Sequence, residues 1–264
     1  MESLDLTRFA AVALPRFVKV KQHFEKGRIG DIAKEVRTQL APHLTQLQGK
    51  KIAIGIGSRG IANLREIAKT LVDELVAAGA EPFIIPTMGS HGGATASGQA
   101  EVLASYEITP ESMGVPIDAS MEVASIGDLE PGLPIYIAKS ALQADGIVVI
   151  ARMNPHTAFR GPVESGVAKM LTIGLGKQIG ADSIHHQGFR RFADLIPRMA
   201  QAVVERTSVF FALGIVENAY EQTYRIEAFS RDDILSMEKE VALLEESKRI
   251  MGRLLFPEFD LLVI

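Results

Sequence analysis

Two periods of hydrophobicity alternate along this chain, and their alternation predicts a layered α/β fold. Residues 52–56 form a short continuous apolar run closed by Gly57, the pattern of a strand buried on both faces. Residues 64–78 then repeat apolar side chains at helical spacing, and Gly79 supplies the stop. A second strand is predicted over 83–86, followed by Gly89-Ser90-His91-Gly92-Gly93 and a helix over about 97–105. A third buried strand is predicted over 147–151, entered from Asp145-Gly146. Strands alternating with helices define βαβ units and a mainly parallel sheet with flanking helices. Residues 121–137 depart from that rhythm and read as a peripheral β-hairpin turning at Glu130-Pro131-Gly132. An amphipathic helix over 192–206 carries Pro197, and strands over 209–216 and 223–229 should pair. Residues 231–251 read as one long helix, and 259–264 as a buried parallel strand. An apolar strand with nothing after it suggests the N-terminal part of a two-domain protein. Residues 1–50 are then an extension packing on the core, and 51–264 an α/β domain running into a second one.

Composition narrows the chemistry. Of 264 residues 47% are apolar and 23% charged, the balance of a soluble globular protein. A net charge of -4 without basic clusters argues against nucleic acid as a partner. The chain has no cysteine, which excludes disulfides, thiolate catalysis and Cys-based metal sites. Met1-Glu2-Ser3-Leu4-Asp5 lacks the basic and apolar regions of a signal peptide, and no apolar run reaches membrane-spanning length. A cytoplasmic protein with no membrane partner is expected.

Four of the six histidines lie at 91, 156, 185 and 186, and Lys169 falls among them. In open α/β sheets, ligands bind beyond the carboxyl ends of the strands. Each of the three inferred strands is followed by a chemically loaded loop: Gly57-Ser58-Arg59-Gly60, then Gly89–Gly93 with His91, then Asn154-Pro155-His156 with Arg160. Neighbouring parallel strands would bring these loops to one edge, with Ser58 and Arg59 at a helix N-terminus suited to an anion. Each piece alone has a plainer reading: Ser58-Arg59 as surface, Lys169 as a solvated helix lysine, His185-His186 as a surface pair. The combination carries more. Two histidines can serve as acid and base on opposite faces of one carbon. A third imidazole suits nickel, zinc, copper or iron. A lysine of lowered pKa can bond to a carbonyl-type cofactor, and an arginine fork holds a carboxylate.

The order Ser58-Arg59, Gly89-Ser90-His91, Pro155-His156, Lys169 and His185 resembles the nickel-pincer-nucleotide lactate racemase family, from about residue 50 onward. That resemblance implies a pyridinium mononucleotide joined to Lys169 through a thioamide, with nickel on its sulfurs and ring carbon and His185 as a protein ligand. It implies His91 and His156 as the pair exchanging the substrate hydroxyl proton while hydride leaves C2 and returns to either face. Arg59 and Ser58, with Arg160, would contact cofactor or substrate. The activity implied is racemisation or epimerisation of a small anionic 2-hydroxy acid, completed by a C-terminal domain beyond residue 264. The chain departs from the lactate enzymes in carrying Ile56 for an Asp, Gly92 for an Arg after the first catalytic His, and a longer segment from His156 to Lys169. These differences imply a different hydroxy acid. Two other readings stand beside it: a zinc hydrolase with His91, His156 and His185 as ligands, and a non-catalytic nucleotide-binding module.

Overall fold

A computed structural model describes residue 16 and residues 18–262. Residues 1–15 and 17 of the expected extension, and Val263-Ile264 of the expected last strand, lie outside the described residues.

The first helix of the described residues is α1 (Ile32–Leu40), capped by the Asp31 carboxylate on the Lys34 N–H at 2.9 Å. Next come β1 (Lys51–Ile56), α2 (Leu64–Ala77), β2 (Glu81–Pro86), α3 (Ala96–Ser105) and the short α4 (Pro110–Met113). The hairpin of β3 (Val123–Glu130) and β4 (Leu133–Ala138) follows, then α5 (Lys139–Leu142) and β5 (Gly146–Arg152). One short turn, α6 (Val167–Lys169), runs into a π-helical turn (Met170–Gly174) and α7 (Lys177–His185). The described chain ends with α8 (Phe192–Arg206), β6 (Val209–Glu217), β7 (Thr223–Ser230), α9 (Arg231–Ser236) and α10 (Glu238–Ile250).

The main sheet has the order β2-β1-β5-β6-β7, parallel except for β7. Alternate side chains of each strand face opposite layers, so the continuous apolar runs feed two cores. Ile52, Ile54 and Ile56 pack with Val36 and Leu40 of α1 and Ile67, Leu71 and Leu75 of α2. Ala53, Val149 and Ala151 face the other layer, where α8 brings Leu195, Met199 and Val203. Burying each such aliphatic side chain contributes roughly 1.5–3 kcal/mol. The hairpin packs on this second layer by burying Leu133, Ile135 and Ile137. Pro197 lies inside a continuous α8.

Two expectations are overturned. The helix over 231–251 is two helices, because Met237 adopts φ 62° and ψ -7° between α9 and α10. Its side chain is buried at that corner, and Ser230 and Asp233 close a capping box that starts α9. Residues 259–262 form no strand, and Phe259 and Leu261 are exposed. An apolar run becomes a strand only where a neighbour offers its backbone groups. Both sheet edges are already engaged, β2 by Pro116–Asp118 contacts to Ile84 and β7 by the Ile29 N–H on the Thr223 carbonyl.

Candidate functional site

The chain leaves β1 through α2 toward β2, then returns across the sheet to place β5 on the other side of β1. The connections from β1 and β5 depart to opposite layers, which opens a crevice at their carboxyl ends. A cavity of 280 Å³ occupies this point. Its walls include Ser58 and Arg59 after β1, His91 after β2, Arg152 and His156 after β5, Lys169 before the π turn, and His185 at the end of α7. Six of the seven residues singled out in the sequence therefore meet. A π turn is a rare way to continue a helix and is concentrated at functional sites; here it follows Lys169 directly.

Arg160 is not in the cavity wall. Its guanidinium turns back to donate to the carbonyls of His156 and Phe159, the latter at 3.0 Å, and its side chain is 69% exposed. Ser58 and Arg59 do not cap a helix, since α2 begins only at Leu64. The N–H of Ala62, just before that helix, is instead taken by the Glu217 carboxylate at 2.6 Å. Although three histidines line the cavity, no group of three His, Asp or Glu among the described residues could hold a metal ion. The three-histidine zinc hydrolase therefore lacks its ligand set.

Local hydrogen bonds orient each ring. The His91 Nδ1 meets the Ser58 hydroxyl, and Ser58 is itself fixed by the Tyr106 hydroxyl donating to its carbonyl at 2.5 Å. His156 receives the Ala158 N–H on Nδ1 at 3.1 Å, so the neutral ring carries its hydrogen on Nε2. Its own N–H donates to the buried Glu164 carboxylate at 2.7 Å, and its ring lies against Phe159 with centroids 4.6 Å apart. In His185 the Nδ1 faces the Ala181 carbonyl at 2.6 Å; donation there leaves the Nε2 lone pair open. Phe189 and Phe192 pack edge-on against that ring.

The cavity is cationic. Arg59, Arg152 and Lys169 line it, and no Asp or Glu among the described residues does. Burial, then repulsion from Arg59, brings the Lys169 amine down to about 8. Burial, then Lys169 and Arg59, lowers His156 to about 4 against a partial restoring pull from Glu164. His91 is lowered by burial first and by Arg59 and Lys169 next.

Several residues at or behind this wall were missed in the sequence. Arg152 ends β5, pairs with Glu217 and reaches the cavity; its signal was available, since it stands at the carboxyl end of an inferred strand. Thr87 also lines the wall, 1% exposed, with no hydrogen-bond partner for its hydroxyl among the described residues. Glu240 is buried behind α6 and accepts the Ala168 N–H at 3.0 Å; burial pushes its carboxyl up to about 7. Lys177 and Gln99 are wholly buried behind the His91 loop. Nothing in the sequence around these last three marks them.

Fold and site together define an α/β protein with a cationic, lysine- and histidine-lined cleft at a topological switch point. Residues 41–191 match the family described as the lactate racemase N-terminal domain, and the chain belongs to that family. Among solved structures it is similar to the lactate racemase apoprotein from Thermoanaerobacterium thermosaccharolyticum, with a TM-score of 0.65 at 18% identity. That similarity covers 86% of this chain and 58% of the other, so the chain spans little more than half of that protein's length. No curated protein matches it.

Proposed function

We propose that this chain is the cofactor-attachment half of a racemase or epimerase acting on a small 2-hydroxy acid. The observation that carries the reading is the convergence of one half-buried lysine of lowered pKa and three histidines on a cavity without a carboxylate among its described residues. Family membership supports the reaction type.

The residues present fit a nickel-pincer nucleotide. Lys169 would carry it, because with a pKa of about 8 roughly a tenth of its amines are neutral at pH 7 and can bond to a carbonyl-type carbon. His185 would ligate nickel through Nε2, its Nδ1 being held by Ala181. The Thr87 hydroxyl, in the cavity wall, lacks a hydrogen-bond partner among the described residues and could be met by a bound polar group. When bound, such a group supplies the acceptor for hydrogen from the substrate's C2.

The chain's own residues then handle charge and protons. Arg59 and Arg152 attract the substrate carboxylate, as the cavity's sign requires. His91, steadied at Nδ1 by Ser58, and His156, steadied by Ala158 and Glu164, hold and release the hydroxyl proton from two sides. We further propose that a second domain of the polypeptide completes the cleft, and that the protein works in the cytoplasm.

Intact mass and metal content of the full-length protein, co-produced with the enzymes that make the cofactor, test this. A nucleotide-sized adduct with about one nickel per chain, absent in Lys169→Ala, is expected. An adduct that survives in Lys169→Ala sinks the assignment of the attachment site. Ligand binding without adduct, nickel or turnover would favour the non-catalytic nucleotide module.

A further inference from the structure

Lys177 is among the largest fully buried side chains of the described residues, and no histidine or carboxylate among them hydrogen-bonds its amine. Its Nζ donates to the Pro86 carbonyl at 2.6 Å and to the Gln99 Oε1 at 3.1 Å. Gln99, also 0% exposed, turns its amide nitrogen to the carbonyls of Gly89 at 2.9 Å and His91 at 3.2 Å. Two side chains therefore hold three carbonyls of one segment, at 86, 89 and 91. Lys177 enters this network from the first residue of α7, where its backbone sits at φ 52°. A bulky residue enters that region only when its surroundings insist.

We infer that Lys177 and Gln99 are positioning residues: they brace the loop carrying His91 against the helix that carries His185. The inference rests on the racemase reading for its catalytic meaning, though not for its geometry. A buried amine is a costly way to fill space, since an apolar side chain packs there without desolvating a charge. What it supplies is direction. The Lys177 amine holds the Pro86 carbonyl directly, and its bond to Gln99 ties α7 to the α3 side chain that holds the Gly89 and His91 carbonyls. Gly89 adds a weaker tie, its N–H facing the Gly174 carbonyl at 3.4 Å. His91 thereby inherits its place from the same helical segment that sets Lys169 and His185, so the groups of the site move as one body.

The test is the double variant Lys177→Met/Gln99→Leu, which removes donor and acceptor together and so leaves neither side chain unpaired. Its readouts are amide hydrogen exchange across 88–91 and the NMR titration of the His91 ring. The fold is expected to persist, with exchange in β6 and α8 unchanged. Exchange across 88–91 should rise at least about tenfold. The His91 ring should titrate closer to its ordinary value, because a released loop rehydrates it and Lys177 is not among the charges that depress it. Gln99→Glu repeats the exchange measurement with the amine still paired but no donor for the two carbonyls, and should show the same rise. In loaded enzyme the double variant should lose kcat about tenfold with KM within twofold. Wild-type exchange and His91 titration in both variants would overturn the brace. Loop release in a protein that racemises nothing would leave the brace standing and discard only the racemase reading.

Discussion

Lys169 and the two flanking histidines share one electrostatic account. The ammonium of Lys169 depresses both His91 and His156, so any reaction that makes it neutral raises their affinity for protons. Lys169→Met should therefore move the His156 titration up from about 4 by on the order of one unit, read by NMR of the imidazole. On the proposed reading, attachment of a cofactor through this amine would act in the same direction on both imidazoles. Thr87 makes the opposite kind of case. Its hydroxyl is buried without a partner, so Thr87→Val should leave the melting temperature of the empty protein unchanged or higher, within about 0.5 kcal/mol. The same change should lower cofactor occupancy by nickel analysis. A loss of occupancy with a large loss of stability would mean that the hydroxyl has a structural partner after all.

Elements explain what single residues do not. Gly92 follows His91 for a local reason. At φ 65° its missing Cβ would come within 2.7 Å of the Gly98 and Gln99 backbone at the start of α3. Gly92→Ala should cost at least about 1–2 kcal/mol in urea unfolding from the left-handed backbone alone, with the clash added. Glu240 links α10 to the start of α6. Its folded pKa, about 7, lies above the ordinary carboxylate range, so the folded state binds the extra proton. That stability is fully present below about pH 4.5 and is lost as pH rises through 7. Glu240→Gln should flatten this decline and be more stable than wild type at pH 8, by on the order of 2 kcal/mol in thermal melts. The strands and their loaded loops were legible because buried parallel strands are written as unbroken apolar runs. The break at Met237 was not, because methionine is a good helix former and only the corner's packing turns it. Residues 259–262 misled because hydropathy cannot tell whether an edge is free. Arg160 misled because spacing from His156 says nothing about which carbonyls its guanidinium will find first. Lys177 and Gln99 were invisible for a related reason: polar residues read as surface until the long-range carbonyls that bury them are known.

At the scale of the whole molecule, the cavity is a basin of positive charge in a chain whose net charge is -4. Small carboxylates or phosphate should stabilise the protein through that site, by about 2.7 kcal/mol at a hundred times Kd, and less as salt rises. Arg59→Ala should reduce the shift in melting temperature, and an unchanged shift would place the anion elsewhere. The walls of the cavity come from within 57–61, 87–91, 150–174 and 181–189, parts of the chain that meet only when the sheet is assembled. This has a consequence in time. On a newly made, unfolded chain Lys169 is one amine among many, almost fully protonated at an ordinary pKa near ~10.4 and no more reactive than its neighbours. Only assembly of the sheet lowers it, so on the proposed reading attachment at Lys169 would select finished molecules and leave incomplete ones unmarked.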